Sequence, residues 1–136
     1  MLLCPTMLFG QRMARDYGTS NKFYSYRLDK RSAAAGKFGC LFEWMGVCHG
    51  QDIAYVFDNP AIKSSPEDLK LSHEMMKAWT NFAKTGKPDK VGFIDWQQVY
   101  ENGHKDSTSV MLLNVENRMD KGTFKELCGF WENIYS

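Results

Sequence analysis

The stretch from Ser65 to Pro88 constrains this chain more than any other part of it. Ser65 is a good N-cap, Pro66 suits the first helical position, and Glu67 and Asp68 favour the positive end of a helix. Leu71, Met75, Trp79, Phe82 and Ala83 recur at helical spacing as one apolar stripe, and Gly86 and Pro88 stop it. The pattern predicts a helix over 66–84, with its methionines and Trp79 in a core. Such a face needs a large apolar surface to pack on.

The other elements supply little of that surface. Pro5 at a first helical position, the spacing of Met7, Leu8, Met13 and Ala14, and a stop at Gly18 predict a helix over 5–17. Tyr24, Tyr26 and Leu28 alternate with Ser25 and Arg27, which predicts a strand over 22–28. Residues 29–39 read as loop and 42–50 as irregular, whereas 53–57 fits a short helix or a strand equally well. Residues 93–96 suit a short strand, and the wholly apolar Val110–Leu113 a buried one. A last helix over 123–134 would carry Phe124, Leu127, Cys128, Trp131 and Ile134 on one stripe. This alternation suits an α/β layered fold. Two or three strands make a poor sheet by themselves. Either this is a small irregular α+β domain, or most of its sheet lies outside the sequence.

Composition excludes some functions. At 43% hydrophobic and 14% aromatic residues the chain is no disordered tail, and a net charge of +1 gives no reason to expect nucleic acid. No apolar run approaches the ~18 residues of a membrane span. The N-terminus lacks a basic region and a cleavage site, is interrupted by Pro5, and reads as interior sequence. Cys4, Cys40, Cys48 and Cys128 form no CxxC pair, and Cys48-His49 beside Cys40 lacks a fourth ligand, so neither metal nor cofactor is expected. If paired, Cys4 and Cys128 would close a long loop worth up to ~4–5 kcal/mol. Four buried thiols are equally compatible with the composition.

Of the three histidines, His104 falls in a polar loop and His73 on the wetter flank of the main helix. His49 differs, because it lies between Gly46 and Gly50 among apolar residues. A partly buried imidazole on such a loop can be held in one orientation and act as a general base, although a hydrogen-bonded structural histidine is the commoner case.

Several segments together resemble the type-B carboxylesterase and cholinesterase family. Glu43-Trp44-Met45-Gly46-Val47-Cys48-His49-Gly50 is similar to the family segment carrying the catalytic histidine, and Asp52, Tyr55 and Phe57 continue the match. Trp79, Phe82-Ala83, Gly86 and Pro88 fit the family helix ending in W-x-x-F-A-x-x-G-x-P. Upstream, Cys4-Pro5, the aromatic strand Phe23-Tyr24-Ser25-Tyr26 and Arg31-Ser32 match in order, as does Cys128-Gly129-Phe130-Trp131 downstream. The chain departs from the family at Leu41-Phe42, where Trp-Pro is usual, and in having Cys40 and Cys48 as extras, either free thiols or a local bridge. Gln51 stands where cholinesterases have a tyrosine that contributes to the choline site, which weakens a choline-ester assignment.

The resemblance implies the C-terminal part of an α/β-hydrolase fold, an incomplete sheet with packed helices, over residues 1–136. It implies His49 as the catalytic general base, a Cys4–Cys128 disulfide, and Trp44, Met45 and Gly50 on the wall of the substrate gorge. In this fold the triad runs serine, acid, histidine along the chain, so a C-terminal segment should hold the histidine alone. The sequence contains no G-x-S-x-G. By itself the chain should therefore hydrolyse nothing. The implied parent is a secreted or extracellular serine esterase acting on a small-molecule carboxylic ester, without cofactor or membrane span, and compatible with a homodimer through C-terminal helices. The alternatives are a non-catalytic adhesion module resembling the neuroligins and a truncated product with no function of its own.

Overall fold

A computed structural model describes residues 3–17, 22–99, 109–122 and 126–131. It combines helices with a three-stranded sheet in the order β1-β4-β5 and a separate two-stranded hairpin, β2-β3. The strands are β1 Tyr26–Leu28, β2 Lys90–Val91, β3 Ile94–Asp95, β4 Ser109–Leu113 and β5 Arg118–Lys121. The α-helices are α1 Leu3–Tyr17, α2 Gln51–Val56 and α3 Pro66–Thr85, and residues 126–131 are also helical. The chain divides into two compact units, one of residues 1–26, 96–111 and 119–136, the other of residues 27–95 and 112–118.

In the first unit, α1 buries Met7 and Ala14. The Cys4–Cys128 disulfide ties this helix to the helical stretch 126–131. Residues 22–25 form no regular strand, yet two of their carbonyls are paired: Phe23 O accepts from Val99 N at 2.8 Å and Ser25 O from Met111 N at 2.9 Å. Trp96 donates its indole N–H to Ser25 O at 3.2 Å and meets Tyr26 edge-on. Cys128 is buried, whereas Leu127 and Trp131, expected on the same buried stripe, are exposed. Gly18, Phe124, Ile134 and His104 lie outside the described residues.

In the second unit, α3 packs on α2, on the 3-10 turn Pro60–Ser64 and on β2. Ser65 Oγ accepts from Asp68 N at 3.3 Å as its N-cap, and Gly86 closes its C-terminus in the left-handed conformation. The buried face is Asp68, Leu71, Ser72, Met75 and Ala78. The expected stripe is thereby corrected: Leu71 and Met75 are core, but Trp79 is only half-buried, and Phe82 and Ala83 are exposed. The reason is local, since the last turns of α3 run beyond the packed elements and residues 82–87 are all exposed. β4, which has residues in both units, is buried along its whole length, as an apolar run predicts. β2 and β3 pair antiparallel through Lys90↔Asp95 and Val91↔Ile94 across Gly92-Phe93. No described helix is long and apolar enough to cross a membrane.

Candidate active site

His49 lies in a turn between a 3-10 turn, Glu43–Met45, and α2. Two glycines make that path. Gly46 has φ +61° with ψ −129°, and Gly50 has φ +81°, conformations that side chains disfavour. The loop's own backbone closes it, with Gly46 N donating to Glu43 O at 3.0 Å and Ile53 N to Gly50 O at 3.2 Å. His49 is exposed, which corrects the expectation of partial burial. Its apolar neighbours in sequence do not cover it, because they are themselves exposed: Leu41, Phe42, Trp44, Met45, Ile53 and Phe57, with Trp44 at 84% and Phe57 at 77%. Trp44 stacks on Phe42 with the rings 6.2 Å apart. No described residue hydrogen-bonds the His49 imidazole.

Beneath the loop the arrangement is tight. Cys40 is fully buried and disulfide-bonded to Cys48, resolving the choice between free thiols and a local bridge. The Arg31 guanidinium donates to Gly46 O and to Cys40 O, both at 2.7 Å, and lies 2.9 Å from Cys40 Sγ. Gln51, the residue after Gly50, is buried, and neither atom of its amide has a partner among the described residues.

Behind α2 stands a buried carboxylate that the sequence pattern did not single out. Asp68 is fully buried and accepts from Tyr55 OH at 2.8 Å, Ser32 Oγ at 2.9 Å and Ala33 N at 2.8 Å, with Lys30 Nζ at 3.5 Å. Ser72 Oγ adds a bond to Tyr55 O at 2.6 Å. Burial, reinforced by Asp68, pushes the Tyr55 phenol well above its ordinary range. This network holds α2, and no hydrogen bond among the described residues joins it to the imidazole. Among the described residues no cluster of histidine, cysteine and acidic groups could hold a metal ion.

Comparison with known proteins bears on this site. A model of the carboxylesterase family matches residues 1–131. The chain is 33% identical over 135 residues to the acetylcholinesterase of Gallus gallus, covering 96% of this chain and 16% of that protein. It is 30% identical over 139 residues to the acetylcholinesterase of Bungarus fasciatus, covering 98% of this chain and 21% of that one. To the medium-chain fatty acyl-CoA hydrolase precursor of Anas platyrhynchos it is 37% identical over 89 residues, covering 64% of this chain and 15% of that protein. The chain thus spans only about a fifth or less of the length of these relatives.

Proposed function

This chain belongs to the carboxylesterase family, and we propose that it is the C-terminal portion of a serine ester hydrolase in which His49 is the general base. The observation that carries the reading is the family match over 1–131, which includes the His49 loop, in a chain with no G-x-S-x-G of its own. The exposure of His49 supports it, because an imidazole with neither nitrogen engaged by a described residue can face a serine on one side and a carboxylate on the other. His49 would take the serine proton as the nucleophile attacks the ester carbonyl, then deliver it to the leaving alcohol. Trp44, Met45 and Gly50 would line the wall beside it.

The fold of the whole would be an α/β-hydrolase, with the serine, the acid and most of the sheet supplied by residues outside this sequence. The substrate is a small carboxylic ester, the class to which the names of the cholinesterase relatives point. Two disulfides suit an oxidising compartment, hence a secreted or extracellular parent. Exposed Leu127, Phe130 and Trp131 on the helical stretch 126–131 suit a homodimer through C-terminal helices.

The test is the intact mass of the native protein, captured with an antibody against the α3 segment. A mass several times 15.7 kDa supports the reading, and His49→Ala in that protein should then abolish ester hydrolysis. A native mass near 15.7 kDa overturns it, because the chain alone has no serine nucleophile on an elbow.

A further inference from the structure

We infer that Arg31 and the Cys40–Cys48 bridge are positioning groups for His49, tethering the backbone on which the imidazole stands. The inference rests on the reading of His49 as general base and adds to it the means by which a loop residue holds its place. Loops are ordinarily the mobile parts of a protein, whereas a catalytic base must be held within about 0.5 Å of its productive position. The Gly46 and Gly50 backbone, at φ +61° and +81°, favours this turn but does not by itself confine it.

Two tethers confine it. The first is covalent: Cys48, the residue before His49, is bonded to Cys40, whose side chain is fully buried. The second is the planar fork of Arg31, which donates to the carbonyls of Cys40 and Gly46 at once, both at 2.7 Å. Charge-assisted bonds from one rigid guanidinium to two points of a loop fix the distance between them, and a lysine ammonium has no such fork. Arg31 has its own support, since the next two residues are pinned to buried Asp68 through Ser32 Oγ and Ala33 N. On the far side of the histidine, Gln51 is buried at the start of α2, and α2 is tied to α3 by Tyr55 OH to Asp68 and Ser72 Oγ to Tyr55 O. His49 and Gly50 are therefore the only residues between two anchored points, Cys48 and Gln51. Asp68 braces both.

Arg31→Lys and the double substitution Cys40→Ala/Cys48→Ala test this in the esterase that contains this chain, alongside His49→Ala. Hydrogen exchange of peptides spanning 43–51 should quicken about tenfold or more in both variants, while α3 peptides keep their protection and so report intact folding. With the histidine displaced by as little as ~1 Å, kcat should fall by about 10- to 100-fold and KM by less than ~3-fold in either direction. Unchanged exchange over 43–51 in both variants overturns the tether, as does faster exchange with kcat intact. A His49→Ala variant that keeps its kcat overturns instead the reading of His49 as general base, and is told apart because the exchange result does not depend on it.

Discussion

Asp68 is the residue on which the most local structure converges. A carboxylate with no exposed surface is costly unless its oxygens are satisfied, and here three donors and the Lys30 ammonium satisfy them. Removing one donor leaves a buried acceptor short, so Tyr55→Phe should lower stability by about 1–3 kcal/mol in urea unfolding. The same residue gives a pH signature. Burial first, then the hydrogen bond and charge of Asp68, raise the Tyr55 phenol above its ordinary 10.0. Above that pH the unfolded chain loses the proton and the folded one keeps it. The stability from this group is therefore complete below pH 10 and declines as the pH rises past it. Unfolding measured from pH 8 to 11 should show that decline, and Tyr55→Phe should reduce it, leaving the smaller part due to Tyr24, which burial also raises. None of this was legible beforehand: Asp68 read as a first-turn helix acid, which it is, and nothing in the spacing reveals that Ser32 and Tyr55 meet it.

At the scale of elements, what could be read depended on how local the deciding interactions are. The start of α3 at Pro66 and its stop at Gly86 were legible because the Ser65 cap and the left-handed glycine act within one turn. Ser65→Ala should cost about 1 kcal/mol (range 0.5–2) in the same unfolding experiment, and a cost near zero would mean that the packing of α3 alone sets its start. β4 was legible for a different reason, since five buried residues in a row leave no face for water. α2 was not. An apolar run of five residues suits helix and strand alike, and the Tyr55–Asp68 and Ser72–Tyr55 bonds, made to another element, accompany its helical form. β5 was missed because Arg118–Lys121 carries little apolar pattern. Trp79 and Phe82 were assigned to the core by periodicity alone, which finds the apolar side of a helix but not where along its length a neighbour ends.

At the scale of the whole molecule, two disulfides act over different lengths of chain. The Cys4–Cys128 bridge spans 124 residues and the Cys40–Cys48 bridge 8. In the chain-entropy account the longer loop contributes ~5 kcal/mol and the shorter ~2.5 kcal/mol. Cys4→Ala/Cys128→Ala should therefore lower the unfolding midpoint more than Cys40→Ala/Cys48→Ala does, and the reverse order would show that the short bridge acts through native packing rather than through the unfolded chain. The exposed side chains from Leu41 to Phe57 belong to this scale too. Large apolar residues at 57–84% exposure, such as Phe42, Trp44, Ile53 and Phe57, are costly to leave in water. They accord with a chain that aligns to only 16% and 21% of two acetylcholinesterases.

The sequence by itself determined the family, the two long helices and the buried strand. Those follow from residue order, caps and apolar periodicity, all of which act along the chain. Only the tertiary structure decided that Cys40 bonds Cys48, that Arg31 spans the loop they close, that Asp68 gathers Ser32, Ala33 and Tyr55, and that His49 is exposed. The physical reason is common to all four. Burial and pairing depend on which groups from distant parts of the chain arrive within a few ångströms, and an apolar neighbour in sequence covers a histidine only if it folds over it.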